Sequence, residues 1–184
     1  DENVRHAITK LSHIHFPATE RARDYLVRLG EDPKRIFLTG CPAIDILKDY
    51  NLELNPRIFE QYKGVGASLD PFKDYIVVLQ HPVTTEYGDG FAQINHTLEA
   101  IKVIGKKGMQ VVWLWPNVDA GSDDIAKGLR VYRENEKPSY VHFYRNFSPS
   151  DYAMLISNCK CLVGNSSSGL REGGFLGVPC VNIG

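Results

Sequence analysis

The sequence predicts an α/β protein: a Rossmann-like parallel sheet with helices on both faces. From residue 75 onward, short apolar segments alternate with helical patterns. Segments that are apolar throughout, rather than at every second position, are typical of strands buried on both faces of a parallel sheet. Polar loops follow several of these segments, and ligands of such sheets bind at the carboxyl ends of the strands.

The charge balance argues against two classes of partner. The 184 residues hold 21 lysines and arginines against 22 aspartates and glutamates, with no long block of either sign. Nucleic-acid and membrane-surface proteins need a clustered basic face, so we expect neither nucleic acid nor a membrane as a partner. No apolar run approaches the ~20 residues that span a bilayer, and no signal peptide is visible. The chain begins without a methionine, and we interpret it as a fragment of a longer protein.

The four cysteines predict free thiols in a cytoplasmic protein. Cys159, Cys161 and Cys180 lie in apolar segments, and Cys41 lies in a turn before a helix. Buried free thiols are the usual state of such cysteines in a reducing compartment. Cys159 and Cys161 have no second Cys/His pair at ligand spacing, so we expect no metal.

A change of composition predicts a domain boundary after the first quarter of the chain. The first part carries helical patterns at residues 2–11, 19–29 and 43–50 and short strands at 12–18 and 35–39. Residues 51–71 are polar, contain Pro56 and Pro71, and hold one helical pattern near residues 57–63. We therefore predict one domain ending at residue 49, a linker over residues 50–71, and a second domain over residues 72–184.

The second domain shows a regular alternation of strands and helices. Apolar patterns predict strands at residues 75–80, 111–115, 141–144, 161–163 and 180–183. Helical patterns between them cover residues 91–107, 123–134, 148–158 and 169–176. Four polar loops would then meet at one edge of the sheet, where they form a plausible nucleotide crevice. Neither a Gly-x-Gly-x-x-Gly nor a Walker pattern is present, which argues against a dinucleotide or P-loop site.

The loop Gly164-Asn-Ser-Ser-Ser-Gly169 is the strongest candidate for phosphate binding. A strand that ends in small residues and opens a helix presents backbone N–H groups to an anion, and we select those of Ser166, Ser167 and Gly169. Glu172, one turn further, is placed to accept hydrogen bonds from ribose hydroxyls. The alternatives are an ordinary strand–turn–helix joint and a first-turn glutamate that complements the helix dipole.

Several motifs run in a recognisable order over nearly the whole chain. They are Asn3-Val-Arg-His-Ala-Ile-Thr-Lys10, Gly40-Cys-Pro42, Asp74-Tyr-Ile-Val-Val-Leu-Gln-His-Pro-Val-Thr-Thr85, Pro116-Asn-Val-Asp-Ala-Gly-Ser122, Gly164-Asn-Ser-Ser-Ser-Gly169 with Arg171-Glu172, and Gly177-Val-Pro179. Together they resemble the UDP-N-acetylglucosamine 2-epimerases, and in particular the hydrolysing branch that forms N-acetylmannosamine for sialic acid synthesis. The residues Pro-Val-Thr-Thr after His81 favour the hydrolysing branch, because the residues after the matching histidine are typically basic in the non-hydrolysing branch.

The resemblance implies a fold, a substrate and a reaction. The family has two Rossmann-like domains facing each other across a cleft, the GT-B-type architecture. Residues 1–49 would be the tail of the N-terminal domain, and residues 72–184 an incomplete C-terminal nucleotide-binding domain. Anti elimination of UDP from the UDP-sugar gives a 2-acetamidoglucal, which water converts to the product. The family needs no cofactor, and we expect the full-length enzyme to be a homo-oligomer and this fragment to be inactive alone.

The resemblance also assigns roles to individual residues. His81 would act on the leaving diphosphate, although a histidine before a proline is also a common loop residue. Glu2 matches a family acid and Arg5 a family arginine, while a surface ion pair one helical turn apart is the alternative. Asp119 and Ser122 would contact substrate or shape their loop, and both interpretations stay open.

Other functions share these motifs. An epimerase acting on a 2,4-diacetamido-6-deoxy UDP-sugar is possible because the nucleotide half does not contact the sugar that distinguishes the two. A retaining glycosyltransferase of GT-B type is a different reaction class on the same architecture. A nucleotide-sugar binding module is the non-enzymatic alternative.

Overall fold

A computed structural model describes residues 2–83, 88–117 and 121–183, and the chain divides into two compact units, Asp1–Asp49 and Tyr50–Gly184. The first unit holds helices α1 (Glu2–Leu11), α2 (Glu20–Arg28) and α3 (Pro42–Asp45), with 3₁₀ turns at Pro33–Arg35 and Ile46–Asp49. The two strands predicted in this unit reduce to one parallel bridge between His15 and Ile36. The threonine hydroxyl at position 19 caps α2 by accepting from the Ala22 N–H at 3.1 Å.

The second unit is built on a six-stranded sheet. Its strands are β1 (Gly64–Gly66), β2 (Tyr75–Leu79), β3 (Gln110–Leu114), β4 (Val141–Tyr144), β5 (Cys161–Gly164) and β6 (Cys180–Asn182), and their spatial order is β1-β4-β3-β2-β5-β6. All neighbouring pairs are parallel except β1 with β4. The helices are α4 (Ile58–Gln61), α5 (Gly90–Gly105), α6 (Ser122–Glu136), α7 (Pro149–Ser157), α8 (Ser167–Leu170) and α9 (Glu172–Leu176).

Helices cover both faces of this sheet, as predicted. Ile94 and Leu98 of α5 and Ile125 and Leu129 of α6 pack in one buried cluster with Trp113. On the other face, α4 and α7 supply a second buried cluster, with Ile58, Phe59, Met154, Leu155 and Ile156 against strand residues such as Val77 and Leu162. Because each central strand is buried from both sides, it is apolar throughout.

The predicted linker belongs to the second unit. Within residues 50–71, Ile58 is 0% exposed and Phe59 7% exposed. Strand β1 also lies in this segment and extends the sheet by pairing antiparallel with β4. A polar composition with two prolines suggested a linker, but the few apolar side chains of this segment fill one face of the sheet.

The predicted helix at residues 169–176 is divided in two. Arg171 separates α8 from α9 with ψ of −75°, away from regular helical geometry. Among the described residues, no helix combines the length and the apolar character that crossing a bilayer requires.

Candidate functional site

A cavity of about 960 Å³ lies at the carboxyl edge of the second unit's sheet. The loops after β2, β3, β4 and β5 meet there, because the carboxyl ends of parallel strands share one edge. The lining residues come from those strand ends and from α6 and α7: Leu79, His81, Leu114, Trp115, Pro116, Asn117, Ala126, Arg130, Arg145, Asn146, Tyr152, Ser166 and Ser168. The sequence therefore predicted the position of the cavity.

His81 is held in this cavity through both its backbone and its ring. Its N–H donates to Asn165 Oδ1 at 2.7 Å, and its carbonyl accepts from Asn165 Nδ2 at 2.9 Å. Its ring Nδ1 accepts from the Asn117 N–H at 3.3 Å. A neutral imidazole that accepts at Nδ1 carries its proton on Nε2, so these contacts select one tautomer.

The serine loop places two hydroxyl groups in the cavity. Ser166 caps α8, its Oγ accepting from the Ser168 N–H at 3.3 Å. Ser168 Oγ lies 3.1 Å from Ser166 Oγ and 2.7 Å from the Tyr152 hydroxyl. These bonds tie the loop to α7 and hold both hydroxyls at the cavity wall.

The other two residues selected in this loop do not line the cavity. Ser167 is exposed as the first residue of α8. Gly169 is buried, and its N–H donates to the Ser166 carbonyl at 3.1 Å. A Cβ at this position would lie 2.5 Å from Cys180 Sγ, so a larger residue would displace the Cys180 side chain. The Gly169 N–H, one of the predicted phosphate donors, is thus already engaged within the loop.

Glu172 is half-buried beside Tyr152. Its Oε2 is inaccessible to solvent and has no hydrogen-bond partner among the described residues. Burial raises the pKa of Tyr152 to about 12; its bond with Ser168 opposes this shift, and the negative charge of Glu172 adds to it. A buried carboxylate oxygen without a donor is costly. Glu172 is not among the residues that line the cavity.

Two guanidinium groups in the cavity were not selected from the sequence. Arg145 directly follows β4, in a loop that the sequence placed at the carboxyl edge of the sheet. Its position after a strand could therefore have indicated it as a site residue. Arg130 lies in α6, where it donates to the Ala126 carbonyl at 3.2 Å and gave no sequence signal of a site. Asn117 belongs to the motif at residues 116–122, but no separate role was predicted for it.

The remaining predicted residues that the structure describes are not among those that line the cavity. Glu2 and Arg5 are exposed on α1 in the first unit, where Arg5 donates to the Glu2 carboxylate and His6 Nε2 lies 3.2 Å from it. The hydrogen bond from Arg5 is the main cause of a lowered pKa of Glu2. Ser122 is the first residue of α6 and is not in the cavity lining, and Asp119 lies outside the described residues.

The cysteines are free thiols in the structure. Burial raises the pKa of Cys159 to about 12 and also raises that of Cys161, so both stay protonated at neutral pH. Within residues 2–83, 88–117 and 121–183, no group of three His, Cys, Asp or Glu side chains has the arrangement of a metal site.

A mostly parallel α/β sheet with a polar, partly cationic cavity at its carboxyl edge defines a Rossmann-like fold, in which ligands bind at this edge. Residues 1–184 match the sequence model of the family described as UDP-N-acetylglucosamine 2-epimerase. The chain belongs to this family.

Curated relatives match over the whole chain. The UDP-N-acetylglucosamine 2-epimerase of Neisseria meningitidis serogroup B is 31% identical over 184 residues, which are 100% of this chain and 45% of the relative. The UDP-N,N'-diacetylbacillosamine 2-epimerase (hydrolyzing) of Legionella pneumophila is 32% identical over 184 residues, 100% of this chain and 46% of the relative. The chain thus spans about half the length of these relatives.

A solved structure shares the fold. The UDP-GlcNAc 2-epimerase from Neisseria meningitidis, crystallised bound to UDP-GlcNAc, matches with a TM-score of 0.68 at 18% identity, over 95% of this chain and 45% of that one. The predicted fold class, a Rossmann-like sheet of a two-domain GT-B-type architecture, is confirmed.

Proposed function

We propose that the full-length protein is a hydrolysing UDP-N-acetylglucosamine 2-epimerase that supplies N-acetylmannosamine for sialic-acid-type sugar synthesis. The observation that carries this proposal is the cavity at the carboxyl edge, where His81, Ser166 and two guanidinium groups meet in a chain of this family. The hydrolysing relative from Legionella and the ligand of the Neisseria structure support a UDP-sugar substrate. Residues 1–49 would be the end of the N-terminal domain.

The chemistry has two steps. In the first, a base removes the C2 proton while the C1–O bond to UDP breaks, giving a 2-acetamidoglucal and UDP. In the second, water adds its hydroxyl to C1 and a proton returns to C2 from the opposite face, giving N-acetylmannosamine. Negative charge grows on the diphosphate during the first step, so groups that stabilise it there lower the barrier.

The cavity residues suit that charge. The serine loop would bind the diphosphate with its hydroxyls and the N–H groups of Ser166 and Ser167. His81, with its proton on Nε2, would donate to the same phosphates, and Arg130 and Arg145 supply positive charge in the same cavity. Glu172, at the start of α9, would accept hydrogen bonds from the ribose hydroxyls. Glu2, in the first unit, would act as a catalytic acid. Arg5, Asp119 and Ser122 would contact substrate or shape their surroundings.

A second substrate is favoured by one observation. The diacetylbacillosamine epimerase from Legionella is 32% identical over the whole chain, as similar as the N-acetylglucosamine enzyme at 31%. A 2,4-diacetamido-6-deoxy UDP-sugar is therefore the alternative substrate of the same reaction.

NMR of the full-length protein with each UDP-sugar tests this proposal. We expect UDP and a free 2-epimerised sugar to appear together. A UDP-linked product would instead indicate the non-hydrolysing reaction, and sugar transferred to an acceptor would indicate a glycosyltransferase. Binding without turnover would indicate a nucleotide-sugar binding module.

A further inference from the structure

The carboxyl ends of β2 and β5 lie so close together that no side chain fits between them at Gly164. The last registered pair of these parallel strands joins Leu79 to Gly164. Gly164 has φ of +148°, and a Cβ there would lie 1.8 Å from the Leu79 carbonyl oxygen. Only glycine fits this position. Beyond it, the chain turns away into the serine loop, and regular strand pairing ends.

The side chain of Asn165 continues the pairing for one more step. Its carboxamide accepts from the His81 N–H at 2.7 Å and donates to the His81 carbonyl at 2.9 Å. One planar carboxamide therefore bonds both the N–H and the carbonyl of His81, two groups that would otherwise pair with two different peptides of a neighbouring strand. Asparagine suits this position because aspartate has no donor, leucine has neither group, and glutamine is one methylene longer.

The ring of His81 is fixed from the next strand. The Asn117 N–H, in the loop after β3, donates to Nδ1 at 3.3 Å. The backbone of His81 is thus held by the loop after β5 and its ring by the loop after β3. A change at Asn165 would move the His81 backbone and so misalign the ring with Asn117.

We propose that Asn165 is a positioning residue: its carboxamide fixes the His81 backbone so that the ring accepts at Nδ1 and keeps its proton on Nε2, toward the leaving diphosphate. This inference rests on the proposed function for its catalytic meaning, but the bonds that carry it are independent of any activity. Asn165 acts through His81 and does not itself touch the reacting atoms.

NMR of ring nitrogens tests the geometric part without any turnover. The full-length protein is labelled with ¹⁵N-histidine, and the His81 signals are identified by their loss in His81→Asn. We expect the wild-type ring to show an unprotonated, hydrogen-bonded Nδ1 and a protonated Nε2 at pH 8. In Asn165→Ala and Asn165→Asp, we expect this pattern to give way to a mixture of tautomers. An unchanged pattern in both variants, each shown to be folded by circular dichroism, would overturn the proposal whatever the enzyme's activity.

Kinetics test the catalytic part. In Asn165→Asp we expect kcat to fall by about 10–100-fold, as for a catalytic group misplaced by about 1 Å, with KM changed less than about threefold. In the double variant of His81→Asn and Asn165→Asp, kcat should be less than about twofold below that of His81→Asn alone, because Asn165 acts through His81. Effects that multiply in the double variant would contradict the proposal and indicate a purely structural role. Asn95→Asp, in α5 away from the cavity, is the matched control and should leave both constants unchanged.

The two proposals fail differently. The wild-type protein could show the expected tautomer, and the Asn165 variants could lose it, while no turnover is observed. That result would refute the proposed function and leave the role of Asn165 standing. Normal turnover with an unaltered tautomer in those variants would refute the role of Asn165 alone.

Discussion

At the residue scale, the cavity is organised by short side chains that hold other groups in place. Ser166 caps α8, and Ser168 forms a hydrogen bond with Tyr152. Asn165 forms hydrogen bonds with both the N–H and the carbonyl of His81. None of these three is a long charged side chain. The charge comes from Arg130 and Arg145, which line the same cavity and are exposed. The cavity lining thus combines neutral hydrogen-bonding groups with two positive charges.

A bulky side chain at Ser167 tests the phosphate role of the loop. Ser167 is exposed between two cavity serines, so leucine is expected to fold normally while keeping the diphosphate away from the backbone. Loss of two hydrogen bonds to a charged group costs about 3 kcal/mol, or about a hundredfold in affinity. Calorimetry of the full-length Ser167→Leu variant with UDP measures this. Ser68→Leu, an exposed serine outside the cavity, is the control, and equal affinities in both variants would refute the assignment.

His81 and Glu172 are expected to differ in the kinetic constant that they control. If Glu172 holds the ribose in ground state and transition state alike, Glu172→Gln should mainly raise KM. If His81 stabilises charge that grows on the leaving diphosphate, His81→Asn should lower kcat by about 10²-fold or more. Steady-state kinetics of the full-length variants measure both, with the exposed His96→Asn as a control. Small, equal effects on kcat and KM would make His81 a structural loop residue.

At the element scale, the start of α7 is held by a residue from the segment predicted as a linker. The Tyr62 hydroxyl donates to Asp151 and accepts from the Ser148 N–H at 3.0 Å. Ser148 caps the helix and donates to Asp151 Oδ2 at 2.8 Å. The Tyr62 ring packs on Phe147, with ring centroids 4.5 Å apart. These contacts fix the loop after β4, which contributes Arg145 to the cavity.

Removing the Tyr62 hydroxyl is expected to weaken this helix start. Tyr62→Phe keeps the packing on Phe147 but leaves the Ser148 N–H without its acceptor and Asp151 Oδ2 with only the Ser148 hydroxyl as a donor. We expect the free energy of unfolding to fall by about 1–3 kcal/mol. Urea denaturation measures it. Tyr25→Phe removes an exposed hydroxyl of the first unit and should change stability by less than about 0.5 kcal/mol. Similar values for the two variants would show that the Tyr62 bonds contribute nothing.

At the scale of the whole molecule, the division into units assigns residues 50–71 to the second. Ile58, in α4, is fully buried and belongs to the cluster that covers one face of the sheet. The sheet is therefore completed by a strand and a helix that precede its first parallel strand in the chain. A second unit beginning at residue 72 would lack both.

Truncating Ile58 tests whether this segment stabilises the second unit. Ile58→Ala should lower the free energy of unfolding by about 2–5 kcal/mol, the usual cost of a cavity in a core. Both tryptophans of the chain, Trp113 and Trp115, lie in this unit, so their fluorescence during urea denaturation reports its unfolding alone. Val65→Ala, at a 44% exposed residue of β1, should cost much less. If Ile58→Ala lowers the free energy of unfolding no more than Val65→Ala does, residues 50–71 act as a linker and do not stabilise the second unit.

The sequence by itself determined the parallel sheet, its helices and the edge at which the cavity lies. Central strands of a parallel sheet are apolar, and this pattern is visible in β2, in residues 111–114 of β3 and in β5. The loops after those strands could therefore be located, and with them His81 and the serine loop. The resemblance then supplied the family, which the match over residues 1–184 bears out.

Only the tertiary structure decided the contacts between distant segments. Strand β1, Gly-Val-Gly, has no apolar pattern and is a strand because it pairs with β4. Arg130 reaches the cavity because α6 packs over β3 and β4, which no local signal shows. His81 and Asn165 are 84 residues apart in the chain, and their pairing follows from β2 lying beside β5. Local patterns in a sequence record burial and periodicity, whereas the order of strands in a sheet follows from packing the whole chain.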